Sequence, residues 1–527
     1  MHLSFNVNRH NLCRQYKTMI QRKHIRHIFL FFAFFLVTSC QSASIKCSAC
    51  KVVAKKIYKY AENKTSLNST ITALQEACNS KFQKHNVEKK ICDFIVKGMV
   101  KVFPLAIKEF NSLAWDSSNL CNIAGACKVK CCLTNLTPEQ VHISLTKDLS
   151  EMAVMWTTLE DTKLHQVQYG LDENILNFTS TGGFSTSYDH FGWQGNFHVC
   201  KMKNLQPATR YFYRVGDGTH WSKIYSFKTF HVDIGNSNLH PLRIGSIGDM
   251  GYASNSDNTI NSLSKLIDND ELDMIIHNGD ISYADGEFEH WDVFMRKVEK
   301  IASRVPYQVT PGNHEMWFNF SAYINRFYMP DERSHQNLYY SFQVSNIQFI
   351  AMDTETWYDR ARISKTQAKW IENELVTAAA NDVNKLRWKI AYGHRPLYCS
   401  NHGGQDIPHG NKVLRDAIED VLYTNKVDLV IQAHEHDYER SLPVYKTNVQ
   451  SMNYTNCPAP VYVVNGAAGN REKNSKPPGG PSYWPKGLNR TNLVSFGYIK
   501  INPNNVTWKQ ILSANEEILD QFVIVKE

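Results

Sequence analysis

The sequence predicts a multidomain chain with three folded units: a small α-helical unit stapled by disulfides, a β-sandwich, and an α/β domain in which a β-sandwich is flanked by helices. Three observations predict this order. Cysteines frame a helical apolar periodicity in residues 44–130, short runs of alternating apolar residues fill residues 133–232, and strand-like apolar runs alternate with helical stretches in residues 240–527. A length of 527 residues agrees with several domains.

The positive net charge comes mostly from the first 43 residues. The chain has 58 Lys and Arg residues against 50 Asp and Glu residues, a net charge of +8, but residues 1–43 hold six of the basic residues and no acidic one. The remaining 52 basic and 50 acidic residues give only +2. This balance excludes a polyphosphate-binding surface over the whole protein, so no nucleic-acid partner is expected.

Residues 1–43 have the layout of a secretory signal peptide. Basic residues precede the ten-residue apolar run Ile28–Val37, and small residues follow it. A membrane span needs about 20 apolar residues, so a cleaved leader is the better interpretation, with Met19 as an alternative start. We therefore expect a secreted or lysosomal protein.

Two further features agree with that compartment. Thirteen cysteines fit an oxidising environment. Eight Asn-x-Ser/Thr motifs are candidate glycosylation sites. They are Asn63, Asn68, Asn135, Asn177, Asn319, Asn453, Asn489 and Asn505.

The first unit, residues 44–130, combines six cysteines with amphipathic helices. Ile91, Ile95, Met99 and Val102 recur at helical spacing and form one apolar face. A CxxC pair alone could be a redox or zinc motif, but six cysteines in a small helical unit favour a disulfide scaffold. The unit resembles a saposin B-type domain, a family that binds lipids or membranes. The resemblance implies the pairs Cys47–Cys127, Cys50–Cys121 and Cys78–Cys92, and a folded appendage without lipid binding is the alternative.

Residues 133–232 are expected to form a β-sandwich that supports a catalytic domain. Val141, Ile143 and Leu145 alternate with polar residues, and similar short runs follow over about 100 residues. The arrangement is similar to a fibronectin III-like domain. The segment 231–241 is the expected linker.

The α/β domain carries five polar clusters, each placed after a strand-like run. Reactive groups in such folds collect beyond the carboxyl ends of the strands, so we expect these clusters to meet. The clusters are Gly248-Asp249-Met250-Gly251, Gly279-Asp280-Ile281-Ser282-Tyr283, Gly312-Asn313-His314-Glu315, Gly393-His394 and His434-Glu435-His436. Together they offer two carboxylates, one phenol, one amide oxygen and three imidazoles, which suffice for two metal ions if one carboxylate bridges them.

These clusters resemble the motifs of the purple acid phosphatases, which belong to the dinuclear, calcineurin-like metallophosphoesterases. The family pattern is GDxG, GDxxY, GNH[DE], a lone His after a strand, and GHxH. The resemblance covers roughly residues 133–527, with the sandwich as the family's N-terminal domain. One ligand motif departs, at Ala433, where the family has Gly. It implies that Asp249, Tyr283 and His436 bind Fe(III), that Asp280 bridges, and that a divalent iron, zinc or manganese ion is held by the remaining three ligands. Those three are Asn313, His394 and His434.

The resemblance also implies the reaction. A hydroxide bound to metal would attack a phosphate monoester, and His314 would contact phosphate or help to protonate the leaving group. His402, eight residues after His394, is the candidate second acid. We expect an acidic pH optimum, because ferric iron generates hydroxide below neutral pH and an imidazolium can donate a proton.

Two other functions remain open at this point. A lipid-directed phosphodiesterase, similar to acid sphingomyelinases, would also join a saposin-like unit to a metallophosphatase domain, but Tyr283 argues against it. A non-catalytic lipid- or phosphate-binding glycoprotein would have lost ligand positions, and none is lost. The saposin-like unit could contact a membrane surface, and a homodimer is possible because plant-type relatives often dimerise. The remaining cysteines suggest bridges from Cys200 to Cys131 or Cys132, and from Cys399 to Cys457.

Overall fold

The computed structural model describes residues 136–527, apart from residues 189–192, 357–360, 381–385, 401–409 and 475–490. The leader, the saposin-like unit with its six cysteines, and His402 lie outside these residues. Four of the predicted glycosylation sites also lie outside them: Asn63, Asn68, Asn135 and Asn489. None of the helices in the described residues is long and apolar enough to cross a membrane.

Residues 139–228 form the β-sandwich that the alternating pattern predicts, with two four-stranded antiparallel sheets in the described part of this region. In spatial order, one sheet contains β1 (Glu139–Leu145), β2 (Met152–Thr158), β6 (Asn196–Met202) and β5 (Phe184–Thr186). The other contains β4 (Phe178–Ser180), β3 (Gln166–Gly170), β7 (Arg210–Gly216) and β8 (Tyr225–Lys228). Strands β3 and β6 are in contact across the two sheets.

Strand β1 is buried on both faces, which its alternating pattern does not predict. Its apolar positions are buried as expected, but the intervening His142 and Ser144 are buried as well. His142 Nε2 lies 2.9 Å from the carbonyl oxygen of Arg326, and Ser144 Oγ donates to the carbonyl oxygen of Tyr328. The polar residues of β1 are therefore covered by the α/β domain rather than by water.

Two six-stranded mixed sheets form the α/β domain in the described residues. The first contains, in spatial order, β11 (Tyr307–Thr310), β10 (Met274–Asn278), β9 (Leu242–Ile247), β20 (Ser495–Ile501), β21 (Asn505–Leu512) and β22 (Ile518–Val525). The second contains β12 (Tyr340–Val344), β13 (Ile347–Ala351), β14 (Trp388–Tyr392), β15 (Leu429–Gln432), β19 (Val461–Asn465) and β16 (Tyr438–Arg440). A short hairpin follows β16, with strands β17 (Val444–Tyr445) and β18 (Asn448–Val449).

Each sheet contains a set of parallel strands, and these two sets face each other. Strands β9, β10 and β11 run parallel in the first sheet, as do β13, β14, β15 and β19 in the second. Hydrogen bonds link the sheets: Asn465 Nδ2 donates to the carbonyl oxygen of Ser246 at 2.8 Å, and Tyr340 Oη donates to that of Val309 at 2.8 Å. The loops at the carboxyl ends of both parallel sets therefore come close together.

Helices flank the sheets, as the sequence predicts. The described residues contain α1 (Asp257–Asp268), α2 (Phe288–Ala302), α3 (Ser321–Arg326), α4 (Ala361–Ala380) and α5 (Lys412–Thr424), with 3-10 turns at Ser254–Ser256 and Asn313–Glu315. Ile371 and Leu375 of α4 and Ile418 of α5 pack in one buried cluster with Val430 of β15. Burial of these apolar faces holds the two helices against the second sheet.

A buried ion pair joins the two α-helices that lie next to the sandwich. Asp292 of α2 and Arg326 of α3 are almost fully buried, and the Arg326 guanidinium donates to Asp292 Oδ1 at 2.8 Å. Gln140 of β1 accepts a second bond from Arg326 at 2.9 Å and donates to Asp292 at 3.2 Å. The sandwich is thus part of the network that neutralises a buried charge.

In the described residues the suggested bridge from Cys399 to Cys457 is not formed, and Cys131 and Cys132, the suggested partners of Cys200, lie outside those residues. Cys200 and Cys457 carry free thiols. Cys200 is buried within β6, where its thiol donates to the carbonyl oxygen of Ser180 at 3.5 Å. Burial raises the pKa of the Cys457 thiol to about 12, so this thiol stays protonated.

Candidate metal centre

The five polar clusters meet at the carboxyl ends of the parallel strands, as the strand order predicts. Their backbones are tied together directly: Asp249 N donates to the carbonyl oxygen of Gly279, and Ala433 N donates to that of His394 at 2.8 Å. The seven predicted side chains divide into two groups of converging donor atoms. These side chains are Asp249, Asp280, Tyr283, Asn313, His394, His434 and His436.

The first group contains the phenol. Tyr283 Oη lies 3.0 Å from Asp249 Oδ1 and 2.9 Å from His436 Nε2, and the latter two atoms are 3.3 Å apart. Tyr283 and Asp249 are fully buried. Three donors of different chemistry therefore face one point.

The second group is centred on His394 Nε2. This nitrogen lies 3.1 Å from His434 Nδ1, 3.2 Å from Asn313 Oδ1 and 3.2 Å from Asp280 Oδ2. Asp280, His394 and His434 place their ligand atoms within 4.8 Å of one another. The arrangement is compatible with a cation bound by nitrogen and oxygen ligands.

Backbone carbonyl groups orient two of the imidazoles. His394 Nδ1 lies 2.9 Å from the carbonyl oxygen of Asn278, and His436 Nδ1 lies 3.1 Å from that of Lys473. A carbonyl oxygen only accepts, so each neutral ring carries its proton on Nδ1 and presents a lone pair on Nε2 to its group. Both rings are thus prepared to bind a cation.

The ring of His434 is held differently. Its Nε2 lies 3.1 Å from Nη1 of Arg395, a guanidinium that can only donate. In the neutral ring the proton then resides on Nδ1, the atom that faces His394. Binding a cation through Nδ1 therefore requires this proton to leave and the contact with Arg395 to change.

Several of these residues have a strained backbone. Asp249 (φ 56°), Asp280 (φ 48°), Tyr283 (φ 55°) and His434 (φ 71°) all adopt the left-handed conformation. This conformation is costly for residues with a side chain and concentrates at functional sites. The hydrogen bonds between the loops offset that cost.

Two glycines of the motifs are required because atoms of other residues lie too close to them for a side chain. A Cβ atom on Gly312 would lie 2.2 Å from Asp280 Oδ1, so this glycine lets the carboxylate lie against the backbone. A Cβ atom on Gly248 would lie 2.5 Å from that of Ala433. The methyl group at Ala433, where the family has Gly, is therefore accommodated by the missing side chain opposite.

The charges of the site favour an ionised carboxylate at Asp280. Burial alone would raise the pKa of Asp280, but the positive charge that His394 and His314 carry when protonated outweighs burial and holds the pKa well below its ordinary value. Burial and the nearby Asp249 carboxylate raise the pKa of the Tyr283 phenol well above 10. A phenolate at this position thus needs a strong positive charge beside it, which a trivalent ion supplies.

His314 borders the site. Its backbone N donates to Asp280 Oδ1 at 2.9 Å, and its Nε2 lies 3.6 Å from Asp280 Oδ2 and 3.8 Å from Glu472 Oε1. Its ring lies against that of Tyr283, with 4.2 Å between centroids. His314 thus lies beside both groups, with its Nε2 near Asp280 and its ring against Tyr283.

Two sets of hydrogen bonds that support the site, made by Glu315 and by Arg395, could not be predicted from the sequence. Glu315 accepts hydrogen bonds from Ile281 N at 3.0 Å and Gly312 N at 2.9 Å, which fastens the loop after β10 to the loop after β11. Arg395 donates from Nε to Glu355 Oε2 at 2.8 Å. Glu315 lies within a motif, and Arg395 directly follows His394, but their partners are set by the fold and have no sequence signal.

Family models and curated relatives identify the chain. Residues 138–229 match the purple acid phosphatase N-terminal domain, residues 242–438 the calcineurin-like phosphoesterases, and residues 459–521 the iron/zinc purple acid phosphatase-like protein C domain. Acid phosphatase type 7 of Danio rerio is 31% identical over 418 residues, which cover 74% of this chain and 91% of the relative. The chain belongs to the purple acid phosphatase family.

Other purple acid phosphatases agree with this assignment. The Homo sapiens acid phosphatase type 7 is 30% identical, with coverage of 74% of this chain and 91% of the relative. Purple acid phosphatase 21 of Arabidopsis thaliana is 34% identical over 64% of this chain and 72% of its own length. The structure of purple acid phosphatase PPD1 from yellow lupin (Lupinus luteus) seeds superimposes with a TM-score of 0.64 at 25% identity, covering 74% of this chain and 75% of that one.

The fold of this purple acid phosphatase is therefore as expected from sequence over residues 136–527: a β-rich domain followed by a metallophosphoesterase α/β domain. The fold is also similar to that of PhoD, with a TM-score of 0.53 at 13% identity, covering 74% of this chain and 89% of that one. At that identity the match concerns the fold alone. The saposin-like unit stays a prediction, because the matched family domains begin at residue 138.

Proposed function

We propose that this protein is an acid phosphatase that hydrolyses phosphate monoesters at a dinuclear centre containing Fe(III) and a divalent iron, zinc or manganese ion. The observation that carries the proposal is the convergence of two donor groups at the strand ends, with a buried tyrosine in one of them. Family membership supports it, since relatives named acid phosphatase type 7 align over 91% of their length.

The residue roles follow from the donor chemistry. Asp249, Tyr283 and His436 would hold Fe(III), because two hard anionic oxygens suit a trivalent ion. Asn313, His394 and His434, a set of neutral ligands, would hold the divalent ion. Asp280 would bridge the two ions, since a carboxylate can bind one cation with each oxygen.

Bound at these residues, the two ions would supply positive charge for the phosphate oxygens and would lower the pKa of the attacking water. The protein residues orient the centre and move the proton. Asp280, held ionised, neutralises the charge of the bound ions, while the carbonyl groups behind His394 and His436 fix their rings. His314 Nε2 would protonate the leaving oxygen, and His402 remains the proposed second acid.

Tyr283→Phe tests the ferric assignment. Removal of the phenol oxygen should abolish the visible absorption that ligand-to-metal charge transfer gives the family, and should lower the iron content. We expect kcat to fall at least tenfold, or about 1.4 kcal/mol in activation free energy. The matched control is Tyr307→Phe, because Tyr307 is also fully buried in this domain but bonds to His277 at 2.6 Å. A Tyr283→Phe protein that keeps the absorption band would contradict the assignment.

Substrate class is tested by comparing p-nitrophenyl phosphate, bis-p-nitrophenyl phosphate and sphingomyelin, with and without anionic vesicles. We expect the monoester to have the highest kcat/KM, with a rate maximum below pH 7. Preference for sphingomyelin with vesicles present would favour the lipid-directed phosphodiesterase instead. A rate maximum above pH 8 would contradict the acid phosphatase.

The proposal also covers the N-terminal segments, the glycosylation sites and the oligomeric state. Residues 44–130 would form a saposin B-type domain that contacts lipid, and residues 1–43 would direct secretion or lysosomal delivery. Three of the candidate glycosylation sites, Asn177, Asn319 and Asn453, are exposed, as glycan attachment requires. A homodimer stays a prediction from the family resemblance.

A further inference from the structure

The sandwich carries a second cluster of metal-ligating side chains, formed by Asp161, His165 and His198. Their ligand atoms all lie within 4.8 Å of one another. Asp161 and His165 belong to the connection between β2 and β3, and His198 lies on β6. The cluster is built from residues distant in sequence and takes no part in the proposed phosphatase centre.

The hydrogen bonds of His198 determine which of its nitrogens has the lone pair. Thr158 Oγ1 donates to the carbonyl oxygen of Glu160 at 2.6 Å, so its only hydrogen is used there. His198 Nε2 lies 2.7 Å from the same hydroxyl oxygen and must therefore donate to it. The neutral ring then presents a lone pair on Nδ1.

That lone pair points toward the other members of the cluster. His198 Nδ1 lies 3.0 Å from His165 Nδ1. The ring of His198 is buried and lies parallel to that of Trp156, with 5.2 Å between centroids, which fixes its orientation. A ring nitrogen whose opposite nitrogen donates to an oxygen is the usual state of a metal-binding histidine.

The spacing matches that of the proposed phosphatase centre. The facing nitrogens of His394 and His434 are 3.1 Å apart with ring centroids 5.0 Å apart, and those of His165 and His198 are 3.0 Å apart with centroids also 5.0 Å apart. Two imidazoles bound to one ion at about 2.0–2.1 Å need a similar separation. The distance between the facing nitrogens therefore suits a first-row transition ion equally well in both histidine pairs.

A third His/Asp cluster in the described residues does not have this geometry. His231 and His240, near Asp233, have rings stacked 3.8 Å apart and nearly parallel, with 12° between planes. Lone pairs of an imidazole lie in the ring plane, so parallel stacked rings cannot both aim at one ion. That cluster therefore does not have the geometry found at His165 and His198.

We propose that Asp161, His165 and His198 bind one zinc ion or a similar first-row transition ion on the sandwich. Two imidazoles and a carboxylate are a known ligand set for zinc and leave the fourth position to water. Burial lowers the pKa of His198 to about 3 and also lowers that of His165, so both rings are neutral and able to bind a cation at pH 7. The ion would join the β2–β3 connection to β6 and stabilise the sandwich.

The test is a zinc titration of full-length protein at pH 7. The phosphatase centre is loaded with metal beforehand, and excess metal is removed from the solution. Wild-type protein should bind one more equivalent of Zn²⁺ than His165→Ala, and the same Zn²⁺ should raise the thermal midpoint of wild type but not that of His165→Ala. His165 is only partly buried, so this variant is expected to fold. Asp161→Asn, at an exposed position, is the second variant and should weaken zinc binding.

The matched control is His220→Ala. His220 is another partly exposed histidine of the sandwich, and it pairs with Asp217 at 3.0 Å outside the proposed site. This variant should bind the additional Zn²⁺ as wild type does. Equal zinc binding by wild type and His165→Ala would overturn the proposal and leave the contact between His165 and His198 as a hydrogen bond without a metal. The result does not depend on phosphatase activity.

Discussion

Asp280→Ala should abolish metal binding and phosphatase turnover together. Asp280 is 1% exposed, its Oδ2 lies 3.2 Å from His394 Nε2, and its Oδ1 accepts a bond from the backbone of His314. Its loss removes the one carboxylate that both ions would share, and with it part of the negative charge that would neutralise them. We expect kcat to fall at least about a thousandfold, which corresponds to about 4 kcal/mol.

The control for Asp280→Ala is Asp428→Ala. Asp428 is a buried carboxylate at the opposite, amino-terminal end of β15, where it pairs with Lys526 at 2.7 Å. Its loss should reduce stability but leave the metal content and the kcat per folded molecule unchanged. Metal content is measured by elemental analysis and kcat with p-nitrophenyl phosphate. A fully active Asp280→Ala protein with two metal ions would refute the ligand assignment.

Asp292→Ala should be among the most destabilising single substitutions in the described residues. Arg326 is 2% exposed, and the Asp292 carboxylate at 2.8 Å neutralises its guanidinium. The substitution removes that carboxylate and leaves the charged guanidinium in a site that excludes water. Breaking a buried ion pair by removing one partner costs about 3–5 kcal/mol. The free energy of unfolding, measured by urea denaturation, should fall by that amount.

Two comparisons separate this effect from general loss of an acidic group. The exposed pair of Lys412 and Asp416 on α5 has the same type of contact at 2.6 Å, and Asp416→Ala should cost less than about 1 kcal/mol. Asp292→Ala combined with Arg326→Met should be more stable than Asp292→Ala alone, because the unpaired charge is gone. A double variant less stable than the single variant would show that the buried charge is not the cause.

The positions of the candidate ligands could be predicted because each of these ligands lies close in sequence to the end of a strand. Asp249 lies two residues after a parallel strand of the first sheet, and His394 and His434 each lie two residues after a parallel strand of the second. Reactive groups collect at the carboxyl ends of such strands. The runs that precede the polar clusters are strands as predicted: β14 (Trp388–Tyr392) ends directly before Gly393-His394. Apolar runs bounded by polar clusters are sufficient for such inference.

What could not be predicted depends on contacts between distant segments. The burial of His142 in β1 needs the α/β domain on its outer face, and the alternating pattern of one strand contains no information on that neighbour. The support of His394 by the carbonyl oxygen of Asn278 is a backbone contact, which no side chain signals. His165 and His198 lie 33 positions apart on different segments, so their pairing appears only when the sandwich is folded.

The most direct test of the dinuclear assignment is the metal content and visible spectrum of the purified protein. We predict one iron ion and a second iron, zinc or manganese ion at the phosphatase centre, with a broad visible band from the Tyr283 phenolate on Fe(III). Zinc bound at the sandwich is counted separately with His165→Ala. A colourless protein that holds two zinc ions at the strand-end centre would contradict the ferric assignment and place the chain among metallophosphoesterases without a tyrosinate-bound iron.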